Sequence, residues 1–266
     1  MPRRPPADSR NEESPPAELS PGPIRLQLSA RRHTGFVAAS QEGKTTLMKA
    51  LLRRAPANTV LIDIKRQDFS DLGWPVVHDP AGILQHARVI WQPPLAAVRC
   101  WDDTRMSDPW SLGLHYIWTV RGRPGGGGVL VACDEIRTVA PTDPHPIVSE
   151  IIVQGMGRGV GLWWASQTAW KLSTDLLHQS PDMFLGALRS SAQRHLLDAN
   201  LEVTVGHLLG SLPRYHFIHV RAGAPPSAPF QLSDLGMDTR STRKAPAPEL
   251  NAFPQKGGTR SGNLGG

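Results

Sequence analysis

Seven short apolar runs constrain the fold of this 266-residue chain more than any other feature. Most are apolar throughout instead of alternating with polar residues, which is typical of strands buried on both faces. Because parallel strands need helices to connect and cover them, the chain is predicted to be an α/β protein with a mostly parallel sheet flanked by helices. The predicted strands cover 34–40, 59–65, 88–92, 128–135, 160–167, 182–189 and 214–220, and the predicted helices 44–54, 109–121, 146–157 and 190–200.

The loop after the first predicted strand contains Gly43, Lys44 and Thr45 at the start of a predicted helix. This context matches the phosphate-binding pattern G-x-x-x-x-G-K-[ST], except that Ala38 replaces the first glycine. In such a loop, backbone N–H groups and the positive helix end hold the phosphates. The lysine reaches the β- and γ-phosphates, and the threonine hydroxyl binds Mg²⁺. The residues predicted to bind ATP are Ala39, Ser40, Gln41, Glu42, Gly43, Lys44, Thr45 and Thr46.

Two adjacent carboxylates, Asp134 and Glu135, follow the apolar run VLVAC. A P-loop ATPase needs an aspartate at such a strand tip to hold Mg²⁺ through water, and then a glutamate to polarise the attacking water. The plainer interpretation is a polar turn that ends a strand. Together with the loop, the pair favours ATP hydrolysis over binding alone. We therefore predict Lys44 and Glu135 as catalytic residues, ATP and Mg²⁺ as cofactors, and Thr45 and Asp134 as metal ligands.

Five stretches, in this order, resemble the FtsK/HerA superfamily of P-loop ATPases, which includes DNA-pumping and viral genome-packaging motors. They are AASQEGKTTLMKALL, VLIDIKRQDFSDLG, VACDEIRTV, GRGVGLWWASQTAWKL and LPRYHFIHV, within residues 24–222. The first and third resemble the Walker A and Walker B elements. The resemblance implies a RecA/ASCE-like P-loop NTPase fold. It also implies a homo-oligomeric ring, a pentamer or hexamer, that moves double-stranded DNA independently of sequence.

The resemblance gives roles to two further residues. Gln167 would lie at the tip of the strand beside the loop strand and sense the γ-phosphate between Lys44 and Glu135; otherwise it is an ordinary polar strand terminus. Arg158 is the first choice for a finger inserted into a neighbouring subunit's site, where a guanidinium offsets charge on the transferring phosphoryl group. Arg189 and Arg194 are the alternatives for that role.

The chain departs from the superfamily at the phosphate site, where Ala38 replaces glycine and Glu42 adds an acid that is expected to weaken nucleotide affinity. Its compact length suits packaging ATPases of viruses with internal membranes or of small mobile elements, with a portal or membrane protein as docking partner. One alternative function is a P-loop switch or regulatory ATPase that acts on a protein partner, as partitioning-type proteins do. Another is a nonhydrolysing DNA-binding protein with a decayed site.

The charge and the two ends of the chain set its wider organisation. A net charge of +6 and a pI near 9.8 are consistent with an acidic polymer as a partner, although many basic soluble proteins bind none. Residues 1–22 and 239–266 hold too few apolar side chains to order themselves, and are predicted to be disordered tails around an ATPase domain at 23–238. No run is long enough to span a bilayer and no secretory signal is present. The protein is therefore expected to be soluble and cytoplasmic, or virion-associated.

Candidate contacts to DNA lie in loops. Arg121 and Arg123, beside a run of glycines, and Lys171 are candidates for loops that face the pore of a ring. The glycine run is more typical of a plain flexible connector than of a pore-facing loop. Trp163 and Trp164 fall in a predicted strand, so we expect them to be core or subunit-interface residues before base-stacking platforms.

Overall fold

A computed structural model describes residues 28–99, 107–124, 127–141 and 144–235, so the two predicted tails lie outside the described residues. The strands of the described part are β1 (Thr34–Val37), β2 (Thr59–Ile62), β3 (Val76–Val77), β4 (Arg88–Trp91), β5 (Val129–Cys133), β6 (Val160–Ser166), β7 (Asp182–Leu185), β8 (His216–Arg221) and β9 (Phe230–Gln231). Its α-helices are α1 (Lys44–Leu52), α2 (Leu95–Arg99), α3 (Pro109–His115), α4 (Ile136–Val139), α5 (Pro146–Arg158), α6 (Thr174–His178), α7 (Ser191–Leu201) and α8 (Gly206–Leu209). A π-helical segment, Tyr116–Arg121, extends α3, and 3₁₀ turns cover Ser70–Leu72, Pro80–Leu84 and Leu232–Leu235.

The strands form one sheet in the order β3-β4-β2-β5-β6-β1-β7-β8-β9. Every neighbouring pair from β3 to β7 is parallel, whereas β7–β8 and β8–β9 are antiparallel. The prediction of a mostly parallel sheet flanked by helices is confirmed, and each of the seven predicted strands is present. The sequence did not predict β3 and β9, because a strand of two residues leaves no pattern to detect.

Helices cover both faces of the sheet, which explains why its strands are apolar throughout. On one face, Leu47 and Met48 of α1 pack with Phe36 and Phe184. On the other face, the side chains of α3, α5, α6 and α7 form a second apolar cluster. Adjacent residues of a strand point to opposite faces. Accordingly Trp163 belongs to the first cluster and Trp164 to the second, and both are buried. These two tryptophans are therefore core residues of the subunit, as predicted.

The parallel strands end at one edge of the sheet, and this edge carries the polar residues singled out from the sequence. The register pairs Val37 of β1 with Ser166 of β6, and Cys133 of β5 with Trp164 of β6. The ends of β1, β6 and β5 therefore lie side by side. Ligands of open α/β sheets bind at this carboxyl edge, in the crevice beyond the strand ends.

Candidate functional site

A cavity of about 430 Å³ opens at the carboxyl edge of the sheet. The loop between β1 and α1 forms one wall, and the residues after β5 and β6 form another. Nine of the residues predicted for the site line this one cavity: Ser40, Gln41, Gly43, Lys44, Thr45, Thr46, Asp134, Glu135 and Gln167. The structure thus brings together segments that are more than a hundred residues apart in the sequence.

The missing first glycine does not distort the loop. Ala38 is fully buried and does not adopt a positive φ. The left-handed positions fall instead on Gln41, with φ 63°, and on Gly43, with φ 88°. Space for the Ala38 methyl comes from Gly186 after β7, where a β-carbon would stand only 2.6 Å from the β-carbon of Ala38. Gly186 therefore compensates for the alanine, and the loop keeps the shape that phosphate binding needs.

Lys44 is the first residue of α1, directly after the loop, and 7% of its surface is exposed. Its Nζ donates a hydrogen bond of 2.7 Å to the carbonyl oxygen of Ala39. Burial lowers the pKa of Lys44 to about 8, although the carboxylates of Asp134 and Glu135 oppose the shift. A buried ammonium of this kind is stabilised by an anion in the cavity, which a triphosphate would supply.

Thr45 and Asp134 join the loop to the tip of β5. The Thr45 hydroxyl donates a hydrogen bond of 2.8 Å to Oδ2 of Asp134. Burial raises the pKa of Asp134 to about 6, although the hydrogen bond from Thr45 and the charge of Lys44 each lower it. A hydroxyl and a carboxylate at this separation suit Mg²⁺, which prefers oxygen ligands. Within the described part of the chain, no group of three or more His, Cys, Asp or Glu side chains could hold a metal ion by itself.

Glu135 forms an ion pair with Lys65, which follows β2 in the Asp-x-Lys segment. Asp63 of that segment is buried and accepts hydrogen bonds from the backbone N–H of Gln67, at 3.0 Å, and from Nε2 of Gln92, at 2.8 Å. The pair directs the Glu135 carboxylate towards β2. Lys65 lies in the stretch VLIDIKRQDFSDLG, but its partnership with Glu135 was not predicted, since nothing local to either residue encodes it.

Gln167, Ala39 and Glu42 complete the predicted set. Gln167 follows β6, which pairs with β1, and its side chain is exposed in the cavity, as the resemblance implied. Ala39 and Glu42 lie in the loop but do not line the cavity. Oε2 of Glu42 is buried with no hydrogen-bond partner in the described residues. Glu42 therefore adds a negative charge to the loop, and this charge favours the ammonium form of Lys44 and raises its pKa.

Arg158 does not lie in this cavity. It ends α5 at the opposite, amino edge of the sheet, and its guanidinium lies 3.9 Å from the centroid of the Trp118 ring. Arg194 is also engaged within its own subunit, since Nη1 donates to the carbonyl oxygens of Leu188 and Arg189 at 2.9 and 2.7 Å. Arg189 is exposed on the cavity's edge of the sheet. Action in a neighbouring subunit stays a prediction for all three arginines.

The proposed pore-facing role of Arg121 is wrong for the described structure. Its guanidinium is partly buried and donates to Oδ1 of Asn58, at 2.7 Å, and to the carbonyl oxygens of Ile83 and Ala87, at 3.1 and 2.5 Å. Burial lowers the pKa of Arg121 to about 10. Arg121 therefore fastens the π-helical segment to the sheet. Arg123 and Lys171 are exposed and stay candidates for contacts to DNA.

Arg214 and Tyr215, which were not predicted to belong to the site, also line the cavity. They belong to the turn before β8, about 170 residues after the loop that they contact. Nε of Arg214 donates to the carbonyl oxygen of Gln41 at 3.2 Å, and Nη2 donates to Oε1 of Gln41 at 3.4 Å. The Leu-Pro turn of LPRYHFIHV was the available signal, but it says nothing about which residues after it reach the site.

We expect the free energy of unfolding of the ligand-free chain to depend on pH through the buried carboxyl of Asp134. The pKa of this group is about 6 in the folded chain, against 3.8 for an unperturbed aspartate. Between these pH values the folded chain keeps the proton and the unfolded chain loses it, so this group's contribution to stability falls as pH rises. Relative to wild type, Asp134→Asn should gain about 1–3 kcal/mol in free energy of unfolding between pH 4 and pH 7. Urea unfolding without nucleotide or Mg²⁺ measures the difference.

Asp182 provides a control of opposite sign for this experiment. Burial raises the pKa of its carboxyl, but hydrogen bonds from His219 and Arg221 outweigh burial, so the pKa is lowered overall. Over the acidic range, Asp182→Asn should therefore lose stability relative to wild type as pH rises. Two results would show that Asp134 is not held as the structure indicates. One is a stability difference between Asp134→Asn and wild type that does not change with pH, and the other is a change of the same sign for both variants.

Among the helices of the described residues, none combines the length and apolar character that a membrane span requires.

Comparison with known proteins identifies the fold. No protein-family model matches the chain, and no curated protein matches it in sequence. Among solved structures, it is similar to the genome-packaging NTPase B204 of Sulfolobus turreted icosahedral virus 2 in complex with AMP, with TM-score 0.62 and 15% identity, over 77% of this chain and 100% of that one. A complex of the same NTPase with ATP-γ-S gives TM-score 0.61 and 14% identity, over 76% and 100%. VirB4 of Thermoanaerobacter pseudethanolicus gives TM-score 0.56 and 9% identity, over 74% and 91%. The predicted P-loop NTPase fold is thus confirmed.

Proposed function

We propose that this chain, which has the fold of the P-loop NTPases, is a Mg²⁺-dependent ATPase that moves double-stranded DNA as a homo-oligomeric ring of FtsK/HerA type, as in genome packaging. One observation carries the nucleotide part of the proposal. The Thr45 hydroxyl and the Asp134 carboxylate are 2.8 Å apart, and Lys44, Glu135 and Gln167 line the same cavity. These are the groups needed to hold a triphosphate and its ion and to hydrolyse the terminal phosphate.

In this proposal each side chain has one task. Lys44 binds the β- and γ-phosphates, and the backbone N–H groups at the start of α1 hold the β-phosphate. Thr45 would hold Mg²⁺ directly and Asp134 would hold it through water; a bound Mg²⁺ would supply positive charge that offsets the charge of the phosphates. Glu135 accepts a proton from the attacking water, and Gln167 senses the γ-phosphate. The ion pair with Lys65 orients the Glu135 carboxylate.

Several observations support DNA as the substrate that is moved. The similar solved structures include B204 of Sulfolobus turreted icosahedral virus, described as a DNA-packaging ATPase, with TM-score 0.58 and 15% identity, over 76% of this chain and 98% of that one. The net charge of this chain is +6. Exposed Arg123 and Lys171 provide the sequence-independent contacts to phosphates that tracking of a backbone requires. Arg158 or Arg189 would complete a neighbouring subunit's site, and a portal or membrane protein would dock the ring in the cytoplasm or virion.

The second candidate function is a P-loop switch ATPase that acts on a protein partner. A switch ATPase would use the same cavity, but it would differ from a motor in its assembly and in its response to DNA. A switch is expected to dimerise and to bind its partner in a nucleotide-dependent way. A motor is expected to form a ring of five or six subunits.

The experiment that separates the two functions combines turnover with assembly state. We expect double-stranded DNA to stimulate ATP hydrolysis by the full chain, with the stimulation falling steeply as salt increases because phosphate contacts release counterions. Light scattering with a nonhydrolysable ATP analogue should give the mass of a pentamer or hexamer. Turnover indifferent to DNA, together with a dimer, would reject the motor and favour the switch.

A further inference from the structure

The turn before β8 places an aromatic ring against the phosphate loop. Tyr215 adopts φ 64°, a left-handed conformation that is unfavourable for a residue with a β-carbon. Its ring lies so close to Gly43 that a β-carbon on this glycine would stand 2.9 Å from Cδ1 of Tyr215. Nevertheless 49% of the Tyr215 surface is exposed, and the residue lines the cavity. One side of the ring is therefore supported by the loop and another faces the cavity.

Arg214 holds this ring and the loop together. Its guanidinium carbon lies 4.8 Å from the centroid of the Tyr215 ring. The same guanidinium donates to the backbone and side-chain oxygens of Gln41. Gln41 itself has a positive φ, at the point where the loop turns. Arg214 is thus a positioning residue that links the flat face of Tyr215 to the phosphate-binding turn.

The order of strands shows which end of a nucleotide this pair meets. Asp134 and Glu135 follow β5, two strands from β1 on one side, whereas Tyr215 precedes β8, two strands from β1 on the other. Because β8 is antiparallel to β7, its first residue lies at the same edge as the ends of the parallel strands. The γ-phosphate must face the acids and the ion. The nucleoside therefore extends away from them, towards the turn before β8.

We propose that Tyr215 is the stacking surface for the base of the bound nucleotide, and that Arg214 positions its ring. The inference rests on the proposed nucleotide site and adds the binding of the base to it. An aromatic ring offers nothing specific to a phosphate chain but binds the flat face of a base, and a larger purine face gains more than a pyrimidine. Because of this stacking, the site should bind ATP more tightly than inorganic triphosphate, and purine nucleotides more tightly than pyrimidine nucleotides.

The test compares ATP with inorganic triphosphate, both with Mg²⁺, by calorimetric titration of the full chain. Wild type should bind ATP more tightly than triphosphate. Tyr215→Leu removes the stacking face and should reduce the ratio of ATP affinity to triphosphate affinity roughly tenfold or more, whereas Tyr215→Phe should keep this ratio. The chain has two tyrosines, and Tyr116→Leu, the same change outside the cavity, should leave the ratio unchanged. A thermal melt of each variant shows whether it is folded. Wild type should also prefer ATP to UTP, a measurement that needs no variant.

The outcomes separate this inference from the proposed function. Unchanged binding of both ligands by Lys44→Ala would overturn the nucleotide site itself. If Lys44→Ala weakens both ligands but Tyr215→Leu keeps the wild-type ratio, base stacking is wrong and the nucleotide site stands. Equal weakening of both ligands by Tyr215→Leu would also overturn the inference, because the ring would then only support the loop at Gly43. Equal affinities of wild type for ATP and UTP would overturn the purine preference.

Discussion

Replacing Glu135 with glutamine should lower ATP turnover by roughly 10²- to 10⁴-fold and leave ATP affinity nearly unchanged, because glutamine cannot accept a proton from the attacking water. The amide has the shape of the carboxylate, so the cavity keeps its form. Lys65 loses its ionic partner in this variant, but 36% of its side chain is exposed and water can solvate the ammonium. Phosphate release under saturating ATP measures turnover, and titration with a nonhydrolysable analogue measures affinity.

Glu150→Gln is the matched control for this variant. Glu150 lies in α5 and does not line the cavity, so the same chemical change should leave turnover at the wild-type level. Wild-type turnover in Glu135→Gln would show that another group activates the water. A loss of ATP affinity equal to the loss of turnover would show that Glu135 serves binding instead of hydrolysis.

Lys44→Ala should weaken ATP binding roughly 10- to 100-fold, because it removes a charge-assisted hydrogen bond to the phosphates inside a buried site. The pKa of Lys44 is about 8 in the ligand-free chain, since burial disfavours its charge. Bound phosphate favours the ammonium, so ATP binding takes up a proton above this pH. ATP affinity of wild type should therefore fall as pH rises from 8 to 10. Titration calorimetry in buffers of different ionisation enthalpy measures both the affinity and the proton uptake.

Lys49→Ala is the control on the same helix. Lys49 forms a salt bridge with Asp71 at 3.0 Å and does not line the cavity. Its removal should leave ATP affinity and proton uptake as they are in wild type. Tight, pH-independent binding by Lys44→Ala would mean that the loop at the end of β1 does not hold the phosphates.

The sequence was sufficient to predict the parts of the fold and site that depend on local pattern. Apolar runs of strand length predicted each of the longer strands, and the turn at Lys44 and the acids after β5 predicted two walls of the cavity. Their convergence followed from parallel strand order, because parallel strands end at the same edge. The alanine that replaces the first glycine of the loop pattern, Ala38, is accommodated because Gly186 beside it has no side chain.

The remaining features depend on contacts between residues far apart in the chain, which no local pattern specifies. The partnership of Lys65 with Glu135 and the approach of Arg214 to Gln41 are of this kind. Arginine roles were the least predictable, because an arginine in the sequence gives no sign of whether its guanidinium is free. Arg121 is held by Asn58 and by backbone carbonyls, and Arg158 packs on the ring of Trp118.

The central claim is that the loop at Lys44 and the strand tip at Asp134 hold one Mg²⁺–triphosphate between them. A crystal structure of the full chain with Mg²⁺ and a nonhydrolysable ATP analogue tests it most directly. We expect the γ-phosphate at Nζ of Lys44, the ion at the Thr45 hydroxyl with Asp134 one water away, and Glu135 beside the face from which water attacks. A nucleotide bound away from Lys44, or an ion with no link to Thr45 and Asp134, would contradict the claim.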